Sequence, residues 1–186
     1  MRILVAITGA SGAIYARQTL QLLIANAAVE HIGLILSDHA EDVIRAEGEC
    51  LPYDSRITRF SNDDMWSSAA SGSARWDAMI IVPASMGTVG RIAAGISRTL
   101  IERAADVMLK ERRRLVMVVR ETPYSLIHLR NMTTLTEAGA IVLPASPSFY
   151  SHPTTIDEAV DTVVERIIAH TGIDLAHYEF SGVGGK

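Results

Sequence analysis

The amino-acid sequence predicts a doubly wound α/β fold built on a parallel sheet. Short runs of Ile, Val, Leu and Met alternate along the chain with longer stretches of helical periodicity. Runs of this kind are typical of strands that helices cover on both faces. Repeated strand–helix–strand units have right-handed crossovers, which place helices above and below one sheet. Since no internal repeat or linker divides the chain, we expect a single domain over residues 1–175, followed by a tail at 176–186.

The order of the elements follows from the same pattern. Five strands fit the order 2-1-3-4-5, in which the turns after strands 1 and 3 flank the switch point of the sheet. Thr154 or Thr155 can cap the last helix, and Gly172 follows its end. The predicted strands are residues 2–8, 31–37, 78–83, 114–119 and 140–143, and the predicted helices are residues 12–26, 38–48, 98–111, 124–138 and 154–170.

Residues 49–76 are the least regular part of the chain. Pro52 and the run Ser67-Ser68-Ala69-Ala70-Ser71-Gly72-Ser73 interrupt both periodicities. A loop of this length in a compact domain is usually functional or mobile. We therefore expect an irregular segment here and a frayed tail at the end of the chain.

Composition narrows the class of protein. Hydrophobic residues make up 48% of the 186 residues, which is normal for a globular protein. The net charge of −4 gives no electrostatic reason to expect nucleic acid or an anionic membrane. With Cys50 as the one cysteine and no metal-ligand spacing among the histidines, we expect neither a disulfide nor a metal site. Because no apolar run approaches the ~20 residues of a membrane span, we expect a cytoplasmic protein.

The first candidate site is the turn Thr8-Gly9-Ala10-Ser11-Gly12-Ala13, between the first strand and the first helix. Free amides at a helix start and the helix dipole bind anions, and glycines let the backbone approach a ligand. The spacing is not GxGxxG, which argues against an NAD fingerprint. We expect this turn to bind a phosphorylated cofactor, with a plain tight turn and a capping serine as the alternative.

Two further turns belong to the same expected edge of the sheet. Ser37 ends the second strand, where it can face a ligand crevice or cap the following helix. The segment Pro83-Ala84-Ser85-Met86-Gly87-Thr88 follows the third strand and offers small residues, hydroxyls and free amides. Because the turns after strands 1 and 3 flank the switch point, their coincidence favours a ligand crevice over two ordinary loops.

Charged residues in the helix at 98–111 form a second kind of candidate. Arg103, Asp106 and Lys110 have the spacing that places them on one face. Two cations around one anion can grip a phosphate, or they can form ordinary ion pairs on a solvated face.

The segments after the fourth and fifth strands add further candidates. Arg120 and Glu121 follow the fourth strand, where Arg can bind phosphate or a carbonyl oxygen and Glu can move a proton. A simple ion pair is the alternative. Tyr150 ends the segment Pro147-Ser148-Phe149-Tyr150, and Arg166 lies on the last helix. Core packing and a structural or oligomer contact are the alternatives for these two residues.

These segments together closely resemble the UbiX-like flavin prenyltransferases, a family formerly called aromatic acid decarboxylases. The resemblance covers roughly residues 2–170 and is most specific from Glu102 to Arg113. The segments that carry it are residues 8–13, 71–73, 101–113, 120–125 and 147–150.

The resemblance implies a flavodoxin-like (Rossmann-like) fold and a flavoprotein that uses reduced FMN. Such enzymes join a dimethylallyl group from dimethylallyl monophosphate to the flavin at N5 and close a fourth ring through C6, without a metal. The resemblance also implies a homo-oligomer of trimers stacked into dodecamers, with each site at a subunit interface. The product would serve a separate UbiD-like decarboxylase as its cofactor.

Roles for individual residues follow from the same resemblance. The residues it assigns to FMN are Gly9, Ala10, Ser11, Ser37, Ser85, Met86, Gly87, Thr88 and Arg120. Those it assigns to the prenyl donor are Arg103, Lys110, Tyr150 and Arg166. The catalytic residues it implies are Ser11, Glu47, Lys110 and Glu121. Trp66 falls near the position where the family often has an aromatic beside the prenyl group.

The sequence is also compatible with two other functions. One is an FMN-dependent decarboxylase that acts directly on an aromatic acid. Related cysteine decarboxylases have an Asn-containing version of the loop at 83–88 and a catalytic His, whereas this chain has Ser85-Met86-Gly87-Thr88. The other is a carrier that stores FMN, which would need none of Lys110, Glu121 and Arg166.

Overall fold

Six parallel strands form one sheet, in the order β3-β2-β1-β4-β5-β6, in the computed structural model, which describes residues 1–174. Helices connect most of the strands, and two short 3₁₀ turns precede the fourth strand. The strands are β1 (Arg2–Ile7), β2 (His31–Leu36), β3 (Ile57–Phe60), β4 (Ala78–Ala84), β5 (Arg114–Val119) and β6 (Ile141–Pro144). The helices are α1 (Ala13–Ala25), α2 (Ala40–Ala46), α3 (Met86–Ala93), α4 (Leu100–Lys110), α5 (Leu126–Glu137) and α6 (Ile156–Thr171).

The predicted fold class is confirmed. The five predicted strands correspond to β1, β2, β4, β5 and β6, and they lie side by side in the predicted order. Thr155 caps α6, its hydroxyl accepting from the Glu158 amide at 3.1 Å, and Gly172 ends it in the left-handed conformation. The predicted tail at 176–186 lies outside the described residues.

One strand and one helix were missed by the sequence patterns. β3 lies inside the segment predicted to be irregular, so the prediction for 49–76 was wrong at these four residues. Only Ile57 and Phe60, at the two ends of β3, are partly buried, so the strand has no alternating apolar signal. Its backbone pairing with β2 makes it the sixth strand and one edge of the sheet.

The missed helix, α3, begins within the predicted turn at 83–88 and continues over residues for which no helix was predicted. Gly87 and Gly90 lower its intrinsic helix propensity. Burial of Met86, Val89 and Ile92 at helical spacing against the sheet overrides that cost. A helix therefore begins directly after the carboxyl end of β4, at the position of the predicted ligand crevice.

Each strand sends alternate side chains to opposite layers of helices. From β1, Ile3 and Val5 pack in the layer that contains α1 and α6, whereas Leu4 and Ala6 pack in the layer that contains α3 and α4. Both faces of the central strands are therefore buried, which explains their continuous apolar runs. Within residues 1–174, none of the helices combines the length and apolar character needed to cross a bilayer.

Trp76 fills the space beneath β2 because that strand has a glycine at its centre. The ring is 1% exposed, meets Phe60 edge-on at a centroid distance of 6.2 Å, and lies 4.5 Å from the guanidinium carbon of Arg2. A Cβ on Gly33 would come within 2.6 Å of the Leu4 side chain and 2.9 Å of the rings of Phe60 and Trp76. Gly33 is therefore required by packing.

Replacing this glycine tests the packing directly. Gly33→Ala is expected to lower the free energy of unfolding by about 1–3 kcal/mol, the usual cost of overpacking a core. Urea denaturation followed by circular dichroism measures the change. Thr58→Ala, an exposed position paired with Gly33 on β3, is the control and should change stability by less than about 0.5 kcal/mol. Equal stability of Gly33→Ala and the unaltered chain would contradict the close packing.

Candidate functional site

A polar crevice lies where β2, β1 and β4 end. It encloses a cavity of about 240 Å³ at the point where the strand order reverses. Ligands of open α/β sheets bind at this position, beyond the carboxyl ends of the strands. The cavity is lined by Gly9, Ser37, Asp38, His39, Asn62, Ser85, Thr88, Arg91, Thr99, Ile101 and Glu102.

The hydroxyl of Thr8 connects the turn after β1 to the turn after β4 through hydrogen bonds. Thr8 is buried, and its Oγ1 donates to the Pro83 carbonyl at 2.7 Å. The same oxygen accepts from the Ser85 amide at 2.8 Å. The turn after β1 and the start of α3 are thereby held in one fixed relation.

Ser85 caps α3 at the floor of the cavity. Its Oγ accepts from the Thr88 amide at 3.4 Å and lies 3.1 Å from the Thr88 hydroxyl. The helix starts with its first amides and the positive end of its dipole directed at the crevice. Of the four residues predicted here, Ser85 and Thr88 line the cavity, whereas Met86 is buried in the core.

Glu47 occupies the anion site at the start of α1. Its carboxylate accepts hydrogen bonds from the amides of Gly12, at 2.9 and 3.1 Å, and Ala13, at 2.7 Å. Partial burial acts to raise the pKa of Glu47. Hydrogen bonds from the Ser11 hydroxyl and the two amides, with the charge of Arg120, outweigh that effect and hold the pKa below its ordinary value. These amides, predicted to be free for a cofactor, are therefore satisfied by a carboxylate of the chain itself.

Arg120 approaches the same turn from the end of β5. Its side chain passes within 3.9 Å of where a Cβ on Gly12 would lie, and its Nε is buried without a hydrogen-bond partner. A buried N–H group is usually hydrogen-bonded, and a bound ligand can supply the acceptor that Arg120 Nε lacks here. The structure thus brings Ser11, Glu47 and Arg120 together beside the crevice. Glu121 follows at the same edge and accepts from the Thr122 amide at 2.9 Å.

Lys110 lies near the amino ends of the strands, whereas these residues lie near the carboxyl ends. α4 begins at the carboxyl edge, where the Leu100 amide donates to the Asn62 carbonyl at 2.7 Å, and it ends just before β5 starts. Lys110 and Glu121 are thus separated by the length of β5, on the order of 20 Å. Lys110 pairs with Glu111. Within one chain, the structure does not bring these two predicted catalytic residues together.

Arg103 lies on the same helix and also outside the crevice. Its Nη1 pairs with Asp106 at 2.6 Å, and its Nε donates to the Ala70 carbonyl at 3.2 Å. The predicted shared face of Arg103 and Asp106 is present. Trp66, in the neighbouring segment, is 98% exposed and packs against none of the site residues described above.

Tyr150 and Arg166 line a separate cavity. It measures about 680 Å³ and lies between β6, at the free edge of the sheet, and α6. The segment before Tyr150 is fixed by the Ser148 amide, which donates to the Thr162 hydroxyl at 2.9 Å. The structure thus brings these two predicted donor ligands together, apart from the crevice that holds Ser37 and Ser85. Among residues 1–174, no group of three or more His, Cys, Asp or Glu residues is arranged to hold a metal.

Arg91 and Glu102 are residues of the crevice that the sequence patterns did not single out. Glu102 is 1% exposed and accepts from Arg91 Nε at 2.5 Å and from the amides of Arg98 and Thr99 at 2.8 and 3.0 Å. Burial acts to raise the pKa of Glu102, but these hydrogen bonds and the Arg91 charge lower it overall. The spacing Thr99-x-x-Glu102 is that of a capping box and could have revealed this carboxylate.

Comparison with known proteins identifies close relatives. Residues 1–169 match the family model described as Flavoprotein. The chain is 47% identical to flavin prenyltransferase UbiX of Thermoplasma acidophilum, over 93% of this chain and 96% of the relative. It is 43% identical to the protein of the same name from Methanocaldococcus jannaschii, over 94% and 95%.

Solved structures give the same result. A dodecameric FMN-dependent UbiX-like decarboxylase from Escherichia coli O157:H7 is similar with a TM-score of 0.90 and 38% identity, covering 98% of this chain and 100% of that one. AnUbiX (PadA1), in complex with FMN and dimethylallyl pyrophosphate, has a TM-score of 0.88 and 40% identity, covering 97% and 98%.

The contacts of Glu47 generate a prediction on pH. Because its pKa in the fold lies below the ordinary 4.5, the carboxylate stabilises the fold above that pH, and the contribution is lost as the pH falls through the lowered value. Glu47→Gln should therefore lose less stability than the unaltered chain as the pH falls from about 5 through the range below 4.5. Urea denaturation across this range measures the slopes. The exposed Glu137→Gln is the control, and an unchanged slope in Glu47→Gln would contradict the interpretation.

Proposed function

Because this chain belongs to the Flavoprotein family and, within it, to the UbiX-like flavin prenyltransferases, we propose that it transfers a dimethylallyl group from dimethylallyl monophosphate to N5 and C6 of reduced FMN. One observation carries the proposal. Ser11, Glu47 and Arg120 converge beside a polar crevice in a chain 40% identical to a structure that holds FMN and dimethylallyl pyrophosphate.

The residues of the crevice fit FMN. Gly9 lines the cavity, where a Cβ would lie 3.0 Å from the Cβ of His39, so a side chain there would narrow the crevice. The buried, unpartnered Nε of Arg120 suits a flavin carbonyl. Hydroxyls of Ser37, Ser85 and Thr88 supply polar contacts. We assign FMN binding to Gly9, Ala10, Ser11, Ser37, Ser85, Met86, Gly87, Thr88 and Arg120.

Reduced FMN, when bound, supplies the nucleophilic N5 and C6 that accept the dimethylallyl group. The Ser11 hydroxyl, hydrogen-bonded to Glu47, holds a proton beside the flavin. Glu121, at the end of β5, is the carboxylate that we assign to proton removal as the new ring closes. Its position at the crevice edge supports that role.

The prenyl donor is held by cations. As its bond to phosphate breaks, negative charge grows on the departing phosphate. We assign the stabilisation of that charge to Arg103, Lys110, Arg166 and the hydroxyl of Tyr150. Tyr150 and Arg166 already line one cavity, which supports their joint action on one phosphate.

These roles require more than one copy of the chain. Lys110 lies before the start of β5 and Glu121 lies after its end. One reaction that uses both residues must therefore take them from different subunits. We propose trimers stacked into a dodecamer, as the dodecameric relative supports. We further propose a cytoplasmic location and a UbiD-like decarboxylase as the user of the product.

Anaerobic incubation of the protein with reduced FMN and dimethylallyl monophosphate tests the activity. We expect a flavin heavier by one C5 unit, measured by mass spectrometry of the released cofactor. Omission of the donor is the control. An unchanged flavin would overturn the proposal. Release of CO₂ from cinnamic-type acids by the pure protein would instead favour the decarboxylase.

Mixing two inactive variants tests the shared site. Lys110→Ala and Glu121→Gln should each lose most of the prenyl transfer, and Lys110→Ala should bind FMN nearly as well as the unaltered chain. Subunits mixed at random should regain activity at up to about a quarter of the sites, those with both residues intact.

A second pair of variants is the matched control for that mixture. Arg103 and Lys110 lie on the same helix, so one subunit supplies both residues to a given site. In a mixture of Arg103→Ala and Lys110→Ala, every site therefore lacks one of the two. We expect no recovery from this pair. Failure of the first pair to recover, with mixed oligomers present, would contradict a site built from two subunits.

A further inference from the structure

We propose that Arg91, held in place by the buried carboxylate of Glu102, binds the 5′-phosphate of FMN and makes the crevice select FMN over flavins without a phosphate. The inference rests on the proposed function, because it concerns the same crevice. It adds a residue that neither the sequence patterns nor the resemblance assigned to the cofactor.

The turn after β1 cannot be the main phosphate site as it stands. Its helix-start amides, those of Gly12 and Ala13, already donate to Glu47. A phosphate placed there would have to displace this carboxylate or lie against its negative charge. The phosphate therefore needs another set of donors in the crevice.

The start of α3 supplies such donors. The amides of Met86 and Gly87 stand at the first turn of the helix and have no acceptor within it. The hydroxyls of Ser85 and Thr88 line the cavity beside them. A cation beside hydroxyls, amides and a helix dipole strengthens their binding of phosphate through charge-assisted hydrogen bonds. The cation at this position is Arg91.

The guanidinium of Arg91 lies over the first turn of α3 and lines the cavity. Its Nη2 donates to the Thr88 hydroxyl at 3.3 Å, and its Nη1 makes no hydrogen bond within residues 1–174. A Cβ on Gly87 would lie 3.3 Å from Nη1, a tight contact, so the glycine leaves room for the guanidinium. The terminal nitrogens can thus reach a phosphate that also contacts Thr88.

Glu102 fixes the direction of that guanidinium. One carboxylate oxygen accepts from Arg91 Nε, and the other accepts from the amides of Arg98 and Thr99 at the start of α4. The negative charge is therefore shared among three donors and a helix dipole. Because Nε is the atom that bonds to Glu102, that carboxylate engages neither terminal nitrogen, and both keep N–H groups for a bidentate phosphate contact.

Comparison of FMN with riboflavin tests the proposal, because riboflavin has the same ring and lacks the phosphate. Arg91→Ala should raise the Kd for FMN roughly ten- to a hundredfold, as expected for loss of charge-assisted hydrogen bonds. The Kd for riboflavin should change less than about twofold. Quenching of flavin fluorescence measures both constants.

Two further variants control for an unpaired buried carboxylate and for a general loss of positive charge. Arg91→Ala with Glu102→Gln removes both charges, so the buried carboxylate is not left unpaired, and it should reproduce the selective loss for FMN. Arg98→Ala removes an exposed cation of the same surface, one that does not line the cavity, and should leave both constants unchanged.

The outcomes separate this inference from the proposed function. Equal losses for FMN and riboflavin, or an unchanged Kd for FMN in both Arg91 variants, would overturn the role of Arg91. Selective loss for FMN in a protein that transfers no dimethylallyl group would support Arg91 and overturn only the transferase. Binding of neither flavin by the unaltered chain would overturn both.

Discussion

The buried hydroxyl of Thr8 is the contact on which the geometry of the crevice depends. A parallel sheet leaves the loops at its carboxyl edge joined to separate strands, so each could move with its own helix. Thr8 removes that freedom by accepting from the Ser85 amide while it donates to the Pro83 carbonyl. Ser85 then caps α3, and Thr88 and Arg91 follow on that helix. A single side chain directly after β1 thereby fixes the end of β4 relative to the start of α3.

Most of the fold could be predicted from the sequence, because strands buried on both faces leave continuous apolar runs. The runs of β1, β4 and β5 belong to this class. β3 could not be predicted, since an edge strand with two exposed central residues carries no such signal. α3 was hidden by its glycines, and only tertiary packing decides it.

The site was predictable in part, for a different reason. Small residues and hydroxyls after strands 1 and 3 point to a crevice by topology alone. That the Glu47 carboxylate accepts hydrogen bonds from the turn at Gly12 depends on a contact across 35 positions of sequence. The pairing of Arg91 with Glu102 likewise spans two helices. Local patterns do not encode which distant side chain satisfies an amide or a guanidinium, so these partners appear only in three dimensions.

Both edges of the sheet are formed by strands of four residues, β3 and β6. Such short edges offer few unpaired backbone groups to a neighbouring chain, and β6 ends in Pro144, which has no amide hydrogen to donate. The sheet of one molecule is therefore a poor template for continuation into the next. Contacts between copies of this chain would therefore use side chains and helix surfaces rather than continued strand pairing.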